Sequence, residues 1–586
     1  MKFSIIFFLY FSLQNILFAQ LTENNKQVFT KADTLRGSNN ENRDWWDVLR
    51  YDITVKPNFE KKEIEGVCKI TYTIESENFK ARNKKDLSFQ IDLQEGLIVD
   101  SVITETLSSS LARRIHGTKS EFIPMFQKIF FKKENGIYLI NFFESTNYQI
   151  YPLPITIYYH GKPREAKKAP WDGGWVWSKD KLGRPFVSVA CQGLGASSWY
   201  PCKDIQSDEP DLGASITIIV PDSLMAVGNG RLTSKIEQET KNKKQETSFT
   251  WEVKNPINNY TIIPTIGNLV NISDTFMGEK GILDLNYWVL DYNKEKALEQ
   301  FQQVKQMLKA FEYWFGPYPF YEDGYKLLEA PYLGMEHQSA IAYGNEFKNG
   351  YLGRDLSNSG WGLKWDFIIV HESGHEWFAN SITTKDIADM WVHEGFTNYS
   401  GVLFTDYYYG KEAGNDYCLG LRKNIANDKP IIGTYGVNSE GSVDMFYKAS
   451  NMIHGIRNAL NDDEKFRNIL RGMNETFYHQ TVTTQQIENF LIEKTGLTLQ
   501  KTFDQYLRTT QIPTLQYYFK GRRLFTKFNN CIEDYTMPIT VLPNAKTIYP
   551  KTKWKKKRMS KKNKEWFNKE DIERLYLLNV ENVPKP

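Results

Sequence analysis

The period of the apolar residues changes near the middle of this 586-residue chain, and this change limits the folds that the chain can adopt. From Tyr51 to about Gly267, apolar and polar residues alternate between turn signals, as in YDITVKPNFEKKEIEGVCKITYTI. A period of two is typical of antiparallel strands. From about Lys294, apolar residues recur at three- and four-residue steps, as in EKALEQFQQVKQMLKAFEYWFG, which predicts helices. A large β-region is therefore expected before a mainly helical one.

A chain of this length exceeds one hydrophobic core, and a usual domain size of roughly 100 to 200 residues predicts three or four domains. The helical pattern ends at Pro513, after which LQYYFKG, RRLFTKF and PITVLP are β-like again. We expect a multidomain α+β fold. Its predicted parts are a linker at 20–45, a β-domain at 46–268, a mainly helical domain at 269–512 and a small β-domain at 513–586.

Residues 1–19, MKFSIIFFLYFSLQNILFA, place one lysine before a Phe/Ile/Leu-rich stretch and end on a small residue, as a secretory signal does. A membrane anchor is the alternative, but Gln14 and Asn15 interrupt the apolar run. No later segment approaches the roughly 20 consecutive apolar residues that a membrane helix needs. We expect cleavage after Ala19 and a secreted or periplasmic protein with no stable membrane insertion.

The charge balance and the cysteine count exclude two classes of protein. The 73 basic and 70 acidic residues leave a formal net charge of +3, which provides no global field for nucleic acid. Five cysteines are too few to hold so long an exported chain together. Cys191 and Cys202 flank a Gly/Ser-rich turn. They could form a disulfide bridge, or they could be two separate buried thiols. The sequence does not indicate an oligomeric state.

Nine basic residues lie within 551–564, in KTKWKKKRMSKKNK. This stretch is open to two interpretations. It could contact anionic glycans or a membrane surface, or it could be a solvated loop.

The string HESGHEWFAN combines two histidines and a glutamate at helical spacing. His371 and His375 are one helical turn apart and therefore project from the same face. Two imidazoles on one face suit zinc, although a buried pair of core histidines is the alternative. Glu372 lies about 100 degrees round the helix from His371, where its carboxylate can reach a metal-bound water without binding the metal.

A third ligand follows on a second helical segment. Glu394 lies 19 positions after His375 (394 − 375) in DIADMWVHEGFTNYSGVLF. Two His and one Glu leave a tetrahedral zinc with one open position, so we expect one zinc ion held by His371, His375 and Glu394. Glu372 is then the general base that accepts a proton from the attacking water and passes it to the leaving amine. His393 points elsewhere on its helix and is predicted to be structural or to support the ligands.

These motifs together resemble the zinc aminopeptidases of the aminopeptidase N and leukotriene hydrolase family, in which HExxH is followed after eighteen residues by a Glu, here in WVHEGF. LGMEHQSAIAYGN resembles the family's Gly-x-Met-Glu-Asn exopeptidase motif, and CQGLGASSWYPCKD resembles its Gln-containing β-domain strand. The resemblance covers nearly the whole mature chain. It implies an N-terminal antiparallel β-saddle, a thermolysin-like, mainly helical catalytic domain and a small C-terminal β-domain.

The resemblance also implies an exopeptidase. In that family the Glu of the exopeptidase motif, here Glu336, grips the free α-amino group of the substrate, and a buried carboxylate suits an ammonium ion. Gln192 would be a second contact to the amine, and the Gly334 backbone would line the peptide. The implied substrates are peptides with a free N-terminus. His337 replaces the family's usual Asn, which could alter the hydrogen bonding behind Glu336.

One departure concerns the oxyanion. The family places a Tyr two residues before a Lys-Gly pair, and DMFYKASNMIHGIRN has Phe446 there, with Tyr447 one step later. One residue turns a helical side chain through about 100 degrees. Loss of one oxyanion donor costs roughly 10² to 10³ in turnover. Two alternatives therefore stay open, a catalytically weakened zinc-binding scaffold for peptides and an endopeptidase that uses the same zinc site.

Overall fold

The computed structural model describes residues 28–74, 76–80, 87–107, 124–141, 153–239, 245–541, 546–560 and 567–585. The predicted signal segment at 1–19 lies outside the described residues, as do residues 561–564 of the basic stretch. The helices of the described part are Lys31–Gly37, Ser76–Lys80, Lys294–Gln300, Gln302–Phe315, Phe367–Gly374, Trp391–Tyr409, Lys411–Leu421, Asp444–Leu460, Asp463–Thr476, Thr484–Thr495, Gln500–Arg508 and Lys569–Leu575. None of them is long and apolar enough to cross a membrane.

The largest sheet is built from the N-terminal part of the chain. Its described strands are, in spatial order, Arg231–Glu239, Gln245–Val253, Ala214–Pro221, Trp46–Asn58, Glu63–Ile74, Leu153–Gly161, Leu97–Leu107 and Pro124–Ile129. Neighbours are antiparallel except at one place, where Tyr51 to Val55 pair in parallel with Ala214 to Ile218. Along Trp46–Asn58 buried and partly exposed side chains alternate, as the two-residue period predicts.

Two smaller sheets complete this region. One contains Met225–Val227, Thr265–Gly267, Pro185–Ala190 and Gly174–Lys179, and the other contains Ser88–Asp92, Ile137–Asn141 and Phe131–Glu134. Their apolar faces meet in one aromatic-rich core that includes Trp45, Trp46, Trp175 and Trp199, all essentially inaccessible to solvent. The prediction of a β-rich N-terminal region is confirmed, whereas the exact domain boundaries stay a prediction.

The middle of the chain joins a sheet to a bundle of helices. The sheet contains Leu269–Gly278, Gly281–Leu290, Tyr325–Glu329, Ile341–Tyr343 and, at its edge, Gly334–Met335. Helix Gln302–Phe315 buries one face and ends at Gly316, whose φ of 94° suits glycine. A parallel pair, Ile382–Thr384 with Gln480–Val482, ties the later helices together. The site lies between this sheet edge and the helices.

The C-terminal part returns to strands, as predicted. Its larger sheet contains Lys555–Arg558, Arg523–Asn529, Thr514–Lys520 and Asn579–Asn582, and a second pair is Ile539–Val541 with Lys546–Ile548. The helix Lys569–Leu575 was not predicted. Leu515 and Leu524 share one core with the middle helices, and the Tyr506 hydroxyl donates to the Leu577 carbonyl at 2.6 Å. This part therefore packs firmly against the helical region.

The cysteines form no bridge in this structure: all five are free thiols. Cys191 and Cys202 are both buried, and the Cys191 thiol donates to the Tyr260 carbonyl at 3.2 Å. Of the two arrangements left open by the sequence, the structure has two separate buried thiols. Apolar packing and hydrogen bonds, not disulfides, hold the fold.

Candidate metal centre and substrate cavity

The helix Phe367–Gly374 carries the first two predicted ligands and begins at a strong N-cap. The buried carboxylate of Asp366 accepts two backbone N–H groups of the first turn, at 3.0 and 3.3 Å. Burial raises the pKa of Asp366 to about 6, although its hydrogen bonds act in the opposite direction. His371 lies inside the helix, and His375 caps it with helical φ and ψ of −65° and −18°. Both imidazoles therefore project from one face.

The third predicted ligand faces them from the first turn of helix Trp391–Tyr409. Nε2 of His371 and Nε2 of His375 lie 3.6 and 3.4 Å from Oε2 of Glu394. Ligand bonds of 2.0 to 2.2 Å in a tetrahedron place neighbouring donors about 3.4 Å apart. Neither contact has hydrogen-bond geometry, and the buried Oε2 has no hydrogen-bond partner among the described residues. The three side chains therefore fit a tetrahedral metal ion.

Negative charge exceeds positive charge around this point. The carboxylates of Glu336 and Glu372 and the His375 imidazole also offer ligand atoms within 4.8 Å of one another. Burial, helped by the nearby charges of Glu336 and Glu394, raises the pKa of Glu372 to about 8, although the charge of His375 opposes the shift. Although burial acts against it, the Glu394 carboxylate holds the pKa of His375 above its usual value. Three buried carboxylates beside two imidazoles make a site that a divalent cation would stabilise.

Hydrogen bonds behind His375 orient its ring. Nδ1 lies 3.0 Å from the Phe378 carbonyl oxygen and 3.1 Å from Oγ1 of Thr397. A carbonyl oxygen can only accept, so Nδ1 carries the proton. In the neutral ring that a metal would bind, the Nε2 lone pair points toward Glu394.

His393 lies next to Glu394 in the sequence but outside the ligand set. Its Nε2 accepts the backbone N–H of Thr384 at 2.8 Å, so the ring faces the strand Ile382–Thr384. Burial lowers the pKa of His393 to about 3, which keeps the ring neutral. This geometry agrees with the structural role predicted for it.

The predicted amine anchor is held from two sides. Oε1 of the buried Glu336 accepts the side-chain amide of Gln192 at 2.6 Å and the Tyr260 hydroxyl at 2.9 Å. Asn380 donates to the Glu336 backbone carbonyl at 2.9 Å. Because Gln192 uses its NH₂ group on Glu336, its carbonyl oxygen is left as an acceptor for an ammonium ion. Tyr260 and Asn380 were not predicted, because nothing in their local spacing distinguishes them from structural residues.

Gly334 lies on the edge strand Gly334–Met335, directly beside the predicted base. A Cβ at Gly334 would be 2.8 Å from Oε1 of Glu372 and 3.0 Å from Cγ2 of Ile368. The absence of a side chain thus leaves the space that the Glu372 carboxylate occupies. His337, at the position of the family's Asn, is buried, and neither of its ring nitrogens has a partner among the described residues.

All the predicted site residues line one cavity of about 710 Å³. The Phe446 ring stacks near the His371 ring, with centroids 6.1 Å apart. Two phenols belong to the cavity wall, those of Tyr447 and Tyr351. Burial raises the pKa of both, and the Glu372 charge contributes to the effect on Tyr351. The sequence drew attention only to Tyr447, because Tyr351 comes from a loop with no motif.

The chain is similar in sequence to several known proteins. Residues 299–506 match the peptidase family M1 domain. Aminopeptidase B of Mus musculus is 25% identical over 341 residues, which cover 54% of this chain and 48% of that protein. Leukotriene A-4 hydrolase of Xenopus laevis is 24% identical over 341 residues, which cover 54% and 51% of the two proteins. The chain spans about half the length of these curated relatives.

Solved structures show the same fold. A mutant M1 zinc metallopeptidase from Deinococcus radiodurans, bound to a Tyr-Ser-Ala substrate, superimposes with a TM-score of 0.60 over 80% of this chain and 95% of that chain, at 17% identity. The mutant without that substrate gives a TM-score of 0.61 over the same shares, also at 17% identity. The likeness confirms the order of N-terminal sheets, helical centre and C-terminal sheet.

Proposed function

We propose that this chain is a zinc-dependent aminopeptidase, on the premise that residues 299–506 match the peptidase family M1 domain. One observation carries the proposal. His371, His375 and Glu394 converge with ligand atoms within 4.8 Å of one another, and the Glu336 and Glu372 carboxylates lie beside His375 within the same limit. A ligand set, a base and an amine anchor therefore share one cavity.

The ligand set offers two imidazoles and one carboxylate, and a bound metal would hold both imidazoles in the neutral form. A zinc ion bound there supplies a Lewis acid for the scissile carbonyl and for the attacking water. Glu372 accepts the proton of that water and donates it to the leaving amine, and its buried position beside the ligands suits both tasks. Gly334 leaves room for its carboxylate, and the Phe378 carbonyl fixes the tautomer of His375.

The anchor makes the reaction an exopeptidase reaction. Glu336 binds the α-ammonium group of the peptide, and the Gln192 carbonyl oxygen accepts a second N–H. Because Glu336 and Glu372 lie so close together, only the first residue of a peptide fits between the anchored amine and the reacting carbonyl. The substrates are therefore peptides with a free N-terminus, whose first residue is released.

A phenol of the cavity wall stabilises the oxyanion in place of the family's Tyr. Phe446 has no donor, so the candidates are Tyr447 and Tyr351, which line the cavity. A hydroxyl that donates to the developing negative charge contributes as other oxyanion donors do. Either hydroxyl would give the enzyme a donor despite Phe446.

The test uses a chromogenic aminoacyl amide with the full chain. Turnover should be abolished by a chelator and restored by zinc, and Glu372→Gln should lower kcat by about 10² to 10⁴, as loss of a general base does. Glu464→Gln is a matched control, because it makes the same change at an exposed position remote from the cavity. Peptide binding without turnover in the zinc-loaded wild type would instead support the scaffold.

The endopeptidase alternative makes a separate prediction. An endopeptidase should cut N-acetylated peptides as well as free ones, whereas the anchored amine predicts that acetylation abolishes cleavage. Glu336→Gln should raise KM strongly for free peptides, because the ammonium loses its charge-assisted partner. Equal cleavage of both peptides would remove the role assigned to Glu336.

We also propose that the protein is exported, on the composition of residues 1–19. Expression with and without those residues, followed by fractionation, tests this. Export of the full chain and retention of the shortened one are expected. Export of both would contradict the signal.

A further inference from the structure

An N-terminal helix closes one side of the cavity. The helix Lys31–Gly37 places Arg36 in the cavity wall. The buried Arg43 holds this helix end, because it donates to the Arg36 carbonyl at 2.9 Å and to the Ser38 carbonyl at 3.0 Å. Arg43 is itself fixed by an ion pair with Asp92. The backbone of Arg36 is therefore tied to the rigid β-region.

The Arg36 side chain is held at a junction of three segments. The Gly193 carbonyl accepts Nη2 of Arg36 at 2.9 Å and Nδ2 of Asn438 at 3.0 Å. Gly37 packs so tightly there that a Cβ would be 2.1 Å from the Asn438 backbone nitrogen. Gly193 directly follows Gln192 of the amine anchor. The guanidinium is thus pre-organised on the amine side of the cavity.

Arg36 has unused binding capacity. A guanidinium carries five N–H donors, and the bond to Gly193 uses one. Among the described residues no carboxylate lies within ion-pair distance of Arg36. Asp204 lies nearby, but its oxygens already accept the Ser197 hydroxyl at 2.5 Å and the backbone N–H groups of Ala196 and Ser197 at 3.2 and 3.1 Å.

Two further acids of the wall, Asp172 and Glu440, form no ion pair with this cation, and Asp172 accepts the backbone N–H groups of Lys167 and Lys168 at 2.8 and 2.9 Å. Glu440 also lines the cavity, but the charges that act on its carboxyl are those of Glu394 and Lys429. It therefore belongs to the part of the cavity nearer the metal ligands. A desolvated carboxylate that entered beside Gln192 would find Arg36 as a bidentate partner.

We infer that Arg36 selects peptides whose N-terminal residue is aspartate or glutamate. The inference rests on the proposed aminopeptidase function. When Glu336 and Gln192 hold the α-ammonium group, the side chain of the first residue lies at the same end of the peptide as that group. Arg36 lies at that end, and its planar fork matches a carboxylate. The C-terminal carboxylate of a peptide lies on the far side of the scissile bond.

The experiment compares kcat/KM for glutamyl and glutaminyl aminomethylcoumarin amides, which differ only in charge and carry no C-terminal carboxylate. A charge-assisted bond of about 1.5 to 3 kcal/mol predicts a Glu/Gln ratio of about 10 to 150 for the wild type. Arg36→Gln should bring the ratio close to one. Arg36→Lys should retain part of the preference for the glutamyl amide. Lys31→Gln, the same change on an exposed residue of this helix, should leave the ratio unchanged.

The outcomes separate the two proposals. Equal hydrolysis of both amides by the wild type, or a ratio that persists in Arg36→Gln, overturns the inference and leaves the aminopeptidase intact. If neither amide is hydrolysed, the proposed function fails. Calorimetry with Glu-Ala-Ala and Gln-Ala-Ala on the Glu372→Gln variant, with and without Arg36→Gln, then decides the inference. Tighter binding of Glu-Ala-Ala that depends on Arg36 supports it, and equal binding overturns it.

Discussion

Gly334 shows how one missing Cβ positions the Glu372 carboxylate. A methyl group there would lie 2.8 Å from Oε1 of Glu372, well inside contact distance. Gly334→Ala should therefore displace the base by a few tenths of an ångström or more, and misplacement on the order of 1 Å costs about 10²-fold in rate. We expect kcat to fall by about 10- to 100-fold in steady-state assays, with an unchanged circular dichroism spectrum.

Gly472→Ala is the control for this substitution. Gly472 lies in helix Asp463–Thr476, and its added Cβ would meet Phe490 only at 3.9 Å, an ordinary contact. Activity should be unchanged, and the helix should gain up to about 1 kcal/mol. A Gly334→Ala enzyme as active as the control would show that the Glu372 position is not critical.

Substitution can distinguish the roles of the two tyrosine hydroxyls in the cavity wall. Tyr447→Phe and Tyr351→Phe each remove one hydroxyl and keep the ring. The variant that loses the oxyanion donor should lose about 10² to 10³ in kcat with little change in KM, and the other should change by less than about fivefold. If both variants keep full kcat, no phenol of this wall serves as the donor.

At the scale of the element, Asp366 joins the first ligand helix to the sheet and its neighbours. Besides capping the helix, its carboxylate accepts Gln300 at 2.7 Å, the Tyr343 hydroxyl at 2.8 Å and Asn345 at 2.8 Å. Asp366→Ala would leave the buried Tyr343 hydroxyl without its acceptor as well as removing the cap, whereas Asn345 keeps the Lys348 and Gly350 carbonyls as acceptors. We expect a loss of about 2 to 4 kcal/mol in the free energy of unfolding by urea.

Asp462→Ala provides the comparison. Asp462 caps helix Asp463–Thr476 by accepting the Lys465 N–H at 2.9 Å, but it is solvent-exposed. Its loss should cost only about 1 kcal/mol. Equal losses in the two variants would mean that the network around Asp366 adds nothing beyond the cap.

The local elements of the site were predictable because helical geometry acts over a few residues. The four-residue spacing of His371 and His375 fixes a common face, and the structure has it. Phe446 likewise occupies the first turn of helix Asp444–Leu460, where its motif places it. The helix Lys569–Leu575 was missed because its short sequence, KEDIERL, offers too few turns to establish a period.

At the scale of the whole molecule, the site residues that the sequence did not predict were missed for one common reason. Tyr260 reaches Glu336 from the β-region, Arg36 reaches the cavity from the N-terminal helix, and Tyr351 reaches it from a loop. Their distance along the chain from HExxH is large, so only the packing of distant parts brings them to the site. A single sequence reports local periodicity well but does not report which distant segments meet.

Lys326 links the middle sheet to the β-region, and its charge makes that link sensitive to pH. Its buried ammonium donates to the Gly230 carbonyl and lies 5.4 Å from the Trp251 ring centroid. Burial lowers the pKa of Lys326 from 10.5 to about 7, although the charges of Asp323 and Glu376 oppose the shift.

Between about pH 7 and pH 10 the unfolded chain therefore binds more protons at Lys326 than the folded protein does. Because of this difference, the contribution of Lys326 to the free energy of unfolding rises with pH in this range. Lys326→Met removes the titration but keeps the stem. The wild type should gain stability relative to the variant as the pH rises from 7 to 10, measured by thermal unfolding at several pH values. If the difference in stability between the wild type and Lys326→Met stays constant across this range, Lys326 remains charged in the folded protein. The contact between the two regions would then not depend on the neutral form of Lys326.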